Sequence, residues 1–327
     1  MIDLGTASTV VWAKDRGVLV NQPSVIALNQ RTGRVLAVGS AAKQMIGRTP
    51  GQVSTARPLL RGVVADAPLA VTMLRRLLGG EWQWRLRKPQ VVVAVPAGVT
   101  EVERRAVAEV LRTAGARRVK TVQASLAAAL GMGLDIGEPA ASMVIDIGGG
   151  TTEAAIISLG GLVTSRLVKV GGDDLDQAII SHVREAYGLV LGETTAEQVK
   201  IAAASAYPDG ADRRTSIRGL DRTTLQPRVV DLTAGELHAA MAVPLHAIIG
   251  TVVNTLAACP PELAADLVHR GIVLTGGGAR LHGLDRRLGE ETGIPIHLPD
   301  EPLHPIVHGA ARLAAGPIAQ DPLACIA

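Results

Sequence analysis

The sequence has almost no aromatic residues: its 327 positions hold three Trp, two Tyr and no Phe. With Ala abundant and most basic residues Arg, this reads as coding bias rather than function. Cysteine is as scarce, and Cys259 and Cys325 form neither a metal-ligand spacing nor a disulfide framework, which fits a reducing compartment. No apolar run reaches the roughly 18 residues that a spanning helix needs, and no signal peptide is evident. An excess of one charge is missing too. With 33 basic and 30 acidic residues the net charge is +3, which gives no electrostatic reason to expect a nucleic-acid partner. His304 and His308 stand one helical turn apart, but no carboxylate or thiol completes a metal site around them. Both common nucleotide signatures are absent, the Gly-x-x-x-x-Gly-Lys-Ser/Thr loop and the Gly-x-Gly-x-x-Gly turn between a strand and a helix. What remains is a globular chain, 47% hydrophobic and 19% charged, long enough for two domains.

The most informative feature that is present occurs twice: Ile2-Asp3-Leu4-Gly5-Thr6-Ala7-Ser8-Thr9 and Ile145-Asp146-Ile147-Gly148-Gly149-Gly150-Thr151-Thr152-Glu153. Each copy sets an Asp at the end of a β-prone stretch, then Gly and small hydroxyl residues, then a second β-prone stretch. A hairpin turn of this kind lets backbone N–H groups approach an anion, because no bulky side chain intervenes. One such turn is an ordinary hairpin; two from similar domains can grip one polyphosphate. Carboxylates repel phosphate, so the expected task of Asp3 and Asp146 is to hold the accompanying Mg²⁺ through water. A third cluster, Gly271 to Arg280 with Gly276, Gly277 and Gly278 in a row, is a buried-type strand ending in a flat turn that can lie against a purine or ribose.

Strand and helix patterns alternate in the α/β manner. Strands are predicted over Val18 to Leu28, Val35 to Gly39, Gln90 to Val95 and Arg118 to Gln123. Helices are predicted over Leu69 to Leu78, stopping at Gly79-Gly80, over Thr100 to Ala114 with a capping box to Glu103, and over Ala124 to Leu134. Asp135 to Ala140 reads as a boundary. The order then begins again with strands Met143 to Leu159 and Leu162 to Val170 and helices Leu175 to Tyr187 and Thr195 to Ala204. Tyr207 to Pro227 reads as a small exposed insertion, Gly235 to Leu256 as a helix broken near Pro244, and Pro260-Pro261 as another helix start. The alternation after two related hairpins implies a duplicated α/β unit with a ligand between the copies.

These residues together resemble the MreB family of bacterial actins, within the actin, Hsp70 and sugar-kinase superfamily. Further matches include Asn21-Gln-Pro-Ser-Val-Ile-Ala, Arg57-Pro-Leu, Gly62-Val-Val-Ala-Asp66, Val102-Glu-Arg-Arg-Ala-Val107, Pro260-Pro-Glu-Leu-Ala and Glu291-Thr-Gly-Ile-Pro295, so nearly the whole chain is covered. The resemblance implies an actin-like ATPase fold: two duplicated RNase H-like α/β domains around a nucleotide cleft. The first lobe would take residues 1–136 and 303–327, with a small subdomain at about 21–60, and the second residues 140–302, with one at about 176–235. It implies that Thr6, Ala7 and Ser8 and Gly148, Gly149 and Gly150 cradle the phosphates of ATP. Glu197, Gln198, Val199 and Lys200 would flank the adenosine, Gly276, Gly277, Gly278, Ala279 and Arg280 would line its other side, and Asp3 and Asp146 would orient Mg²⁺. It further implies self-association into filaments, attachment to the inner face of the cytoplasmic membrane, and partners in the cell-wall elongation or sporulation machinery.

Two departures matter. Where the family reads Glu-Glu-Pro-Met-Ala-Ala-Ala, this chain reads Gln123-Ala124-Ser125-Leu126-Ala127-Ala128-Ala129, and the Glu that positions the attacking water falls on Ala124. Turnover would fall by roughly 10²–10⁴ unless Gln123 or Glu153 substitutes. The reading alternative to a turning-over filament ATPase is therefore a hydrolysis-deficient ATP-binding scaffold; a small-molecule kinase of the same superfamily is a further alternative, although nothing marks a sugar pocket. The second departure is that only Met1 and Ile2 precede Asp3, so either the first strand is short and weak or the start lies upstream. Finally, Glu81 to Lys88 interleaves Trp82, Trp84 and Leu86 with cations. This suits a loop in the bilayer interface, and it equally suits a strand with Trp inward and Arg outward; the resemblance favours the membrane.

Overall fold

The computed structural model describes residues 1–83, 89–207, 213–299 and 304–315. Two five-stranded sheets repeat one topology. In the first, Ile2–Leu4 and Ser8–Ala13 form a hairpin that continues antiparallel to Gly17–Pro23, while Gln90–Val95 and Arg118–Gln123 add parallel strands on the other side. In the second, Ser142–Ile147, Thr152–Ser158 and Gly161–Val168 form the antiparallel part, and Ile272–Thr275 and Ile296–His297 the parallel part. Sequence explains the difference between the parts. Gln90–Val95 is apolar from Val91 onward, with Val91, Val93 and Val95 in the core, whereas Gly161–Val168 mixes polar and apolar positions and stays partly exposed.

The first strand is short, as expected, but it is not weakly placed. Ile2–Leu4 lies in the middle of its sheet, with Ile2 opposite Val11 on one side and Val93 on the other. The run Val18 to Leu28 is two strands. Pro23 has no N–H to give a ladder, and the chain leaves the sheet there, re-entering a small one as Ile26–Asn29 between Val35–Val38 and Val53–Ala56. The helix expected to stop at Gly79-Gly80 runs from Ala67 to Gln83, because a Gly with ordinary helical φ costs only about 1 kcal/mol relative to Ala and does not end a helix. Trp82 therefore lies in a final helical turn and not in a loop, while Trp84 and Leu86 lie outside the described residues. The supposed insertion contains a strand, Arg214–Asp221, paired with Leu189–Val190 and Pro227–Thr233, and its alternate residues Ile217 and Asp221 are buried. The late helix breaks at Met241, with Pro244 accommodated in the first turn of Ala242–Ala257, where its missing N–H is harmless.

Helix Glu101–Ala114 begins at Thr100 with the expected capping box to Glu103. Helix Ala124–Gly131 is buried at all of its first six positions, and its Ala side chains let it lie in a core shared by both sheets, with Val122 from one and Val144 and Ile157 from the other. Helix Pro305–Ala315 crosses it backbone to backbone. A Cβ on Gly309 would sit 1.6 Å from the Ala127 carbonyl oxygen, and one on Gly131 1.8 Å from that of Pro305. Among the described residues no single helix is long and apolar enough to cross a membrane.

Candidate functional site

The two hairpin turns close in the same way: the Gly5 N–H donates to Ser8 O at 3.0 Å, and the Gly148 N–H to Thr151 O at 2.9 Å. They then meet face to face. A Cβ on Gly149 would fall 2.7 Å from the Ala7 Cβ, and one on Gly150 3.0 Å from the Thr6 hydroxyl oxygen, so only glycine permits this approach. The N–H groups of Thr6, Ala7, Gly149 and Gly150 find no acceptor among the described residues. A row of backbone amides at a Gly turn with no protein acceptor is an anion cradle.

Around these turns opens a cleft of about 720 Å³, within the range of small-molecule sites. It is lined by Asp3, Thr6, Ala7 and Ser8 from the first sheet, and by Asp146, Gly148, Gly149, Gly150, Glu197, Lys200, Gly276, Gly277, Gly278 and Arg280 from the second half of the chain. Gly276 has φ 84°, and a Cβ there would strike Ile147 O at 2.4 Å and the Asp146 carboxylate at 2.5 Å, which fixes Gly at that turn. Gln198, Val199 and Ala279 stand beside the cleft without lining it: Gln198 points to solvent, and Val199 and Ala279 pack into the core. Lys200 is not a free surface cation, since its ammonium donates to Gly172 O at 2.8 Å and pairs with Asp176 at 2.9 Å.

Carboxylates gather behind the turns. Burial, reinforced by the charge of Asp146, pushes Asp3 up to about 7, and burial alone pushes Asp146 up to about 6. Among the described residues neither is paired with a cation, a donor set that fits a divalent ion. No cluster of three acidic, His or Cys ligands exists among the described residues, so two carboxylates acting through water fit better than full coordination by protein. Glu153 is buried just below, opposite Asp146 in the hairpin register, and burial pushes it up to about 7. One of its oxygens accepts the Ala97 N–H at 2.8 Å, tying the two halves of the chain together.

Ala124 lines the cleft next to Ala94 and Pro96, whereas Gln123 and Glu153 do not line it. At the position that faces the phosphate turns from this helix start there is thus a methyl group. Sequence reasoning missed Gly172, Asp173, Asp176, Ile201, His282 and Ile306, all of which line the cleft. The Gly171-Gly172-Asp173-Asp174 start of helix Gly172–Tyr187 was the available signal: Gly172 and Asp173 donate their N–H groups to Gly148 O and Gly149 O, fastening the helix to the second turn. His282 carries no such signal; it comes in through its backbone contact with Ser205.

A duplicated α/β unit, with mirrored glycine turns meeting over paired half-buried carboxylates, defines an actin-like fold of the ATPase type. The comparisons agree with that class. The sequence model for the MreB/Mbl protein family matches residues 1–320, and the chain belongs to this family. It is 46% identical over 317 residues to the cell shape-determining protein MreB of Escherichia coli strain K12, covering 95% of this chain and 91% of that protein. MreB5 of Spiroplasma citri, in a crystal structure bound to AMPPNP, superposes with a TM-score of 0.91 at 34% identity, over 96% of this chain and 95% of that one. A MamK double helical filament matches with a TM-score of 0.79 at 22% identity, over 96% and 98% of the two chains, a likeness of fold.

Proposed function

We propose that this protein binds Mg²⁺-ATP between its lobes and polymerises into membrane-associated filaments that organise cell-wall synthesis and cell shape. The observation that carries the reading is the contact between the two glycine turns at the cleft, with four N–H groups that have no acceptor among the described residues and two carboxylates behind them that no described cation pairs with. Those amides would hold the β- and γ-phosphates, and the helix that begins at Gly172 adds a favourable dipole at the same end. Asp3 and Asp146 would hold Mg²⁺ through its water shell; when bound, the ion neutralises phosphate charge. Lys200 and Glu197 would flank the adenosine, opposite Gly276 to Gly278 and Arg280.

Filament assembly is supported by family membership and by a fold in which the ligand joins two lobes, so that its binding can fix one subunit shape for head-to-tail stacking. Membrane contact is supported by the mixture of Trp and cations in residues 81–88. One observation favours the second reading, a scaffold that binds ATP and turns it over slowly: the Ala124 methyl can neither orient nor deprotonate water. Sedimentation and phosphate release, followed together with ATP, separate the two. Pelleting with release supports the dynamic filament, pelleting without release supports the scaffold, and no ATP-dependent pelleting removes both.

A further inference from the structure

The tight turn between strands Leu59–Leu60 and Val63–Val64 reaches over both glycine turns. Its Gly62 N–H donates to the Thr6 hydroxyl oxygen at 2.9 Å, and a Cβ on Gly150 would meet the Arg61 Cα at 2.9 Å. Arg61 has φ 49°, a left-handed conformation that residues with side chains rarely adopt and that recurs at ligand clamps. Beside this turn lies a second, smaller cavity of about 230 Å³, which shares Thr6, Ala7, Gly150, Asp173, Asp176 and Glu197 with the main cleft but none of the Gly276 to His282 wall. It therefore adjoins the cleft on the side away from that wall, and the Gly62 and Arg61 contacts put its Arg61 edge at the glycine turns.

Three cations line the smaller cavity. Lys43 is held by Glu197 at 2.6 Å, and Arg57 is shared by Asp173 at 3.2 Å and Glu193 at 3.7 Å. Arg61 is the least committed: its side chain is 55% exposed and its guanidinium pairs with one oxygen of Asp174 at 3.3 Å. The other Asp174 oxygen accepts the Gly171 N–H at 2.9 Å, so this carboxylate stays in place whether or not Arg61 does. An exposed pair of that length is weak, whereas Arg binds phosphate through two parallel charge-assisted hydrogen bonds.

Resting on the nucleotide reading given above, we propose that Arg61 leaves Asp174 to contact the terminal phosphate of a nucleoside triphosphate, and so makes the cleft prefer triphosphate over diphosphate. A diphosphate on the same amides ends one phosphate short of the turn, and Arg61 stays with Asp174.

The test is the affinity of AMPPNP and of ADP, each with Mg²⁺, for the unaltered protein and for Arg61→Ala, Arg61→Gln and Arg61→Lys. Arg61→Ala and Arg61→Gln should weaken AMPPNP about tenfold and leave ADP within about twofold, with Arg61→Lys in between. Retained ADP affinity also reports that the variants are folded, and if Arg61→Ala does not fold, Arg61→Gln is read by the same ratio. Equal weakening of both nucleotides, or no change in either, overturns the assignment of Arg61. Failure of the unaltered protein to bind either nucleotide overturns instead the reading on which it rests.

Discussion

Replacing Asp3 by Asn should make the nucleotide-free protein more stable, and the gain should depend on pH. The Asp3 carboxyl is raised from an ordinary 3.8 to about 7, by burial first and by the charge of Asp146 second. A carboxyl raised in the folded state is protonated there while it is ionised in the unfolded chain. Its penalty is therefore absent below about pH 4, grows as pH rises towards 7, and is constant above that. A rise of about three pH units corresponds to about 4 kcal/mol; because Asp146 shares the titration, about 2–4 kcal/mol is the expected relief at pH 8. Asn has the same shape without the charge. Thermal melting without nucleotide should thus show Asp3→Asn above the unaltered protein by roughly 4–8 °C at pH 8, by about a third of that at pH 5, and by little at pH 4. In the presence of Mg²⁺ and ATP the order should reverse, since the variant loses half of the ion's carboxylates. A variant that melts at or below the unaltered protein at pH 8, or a difference that does not move with pH, refutes the reasoning.

Ala124→Glu should raise phosphate release by roughly 10²–10⁴-fold, the usual contribution of a positioned carboxylate, with ATP affinity little changed; equal rates would show that another group already positions the water. Gly309→Ala should cost about 3 kcal/mol or more and deplete folded protein, because the added methyl meets the Ala127 backbone, whereas Gly51→Ala, which meets nothing within 4 Å, should not. Comparable melting of the two variants would contradict the close helix crossing. Trp82→Ala with Trp84→Ala should lower pelleting with anionic liposomes and leave the melting temperature unchanged; unaltered pelleting with a lower melting temperature would place these side chains in the core.

The duplicated hairpins could be read from sequence because their chemistry is local: an Asp, a glycine turn and two β-prone stretches need no tertiary information to be recognised. The parallel strand Gln90–Val95 and the capping box at Thr100 were legible for the same reason. What could not be read depends on distant partners. Pro23 ends one strand and starts the route to another sheet, which an uninterrupted β-prone run conceals. Gly79 and Gly80 resemble a stop signal, yet the helix holds its φ and continues to Gln83. The Arg-rich stretch after residue 213 has low hydrophobicity, but only alternate residues of an edge-exposed sheet need be apolar. In the cleft, the turns and the Gly276 cluster were foreseen, whereas Asp176, His282 and Ile306 enter from positions fixed by packing alone. That Ala stands at position 124 was visible in the sequence; that it lines the cleft while Gln123 does not was not.

The central claim is that two mirrored turns and the carboxylates behind them form a single site for a metal-bound nucleoside triphosphate. Isothermal calorimetry of the folded protein with ATP tests it most directly, with and without Mg²⁺. The account predicts one site per chain, tight only when Mg²⁺ is present and greatly weakened in Asp146→Asn. Absence of binding by folded protein, or binding indifferent both to Mg²⁺ and to Asp146→Asn, would contradict it.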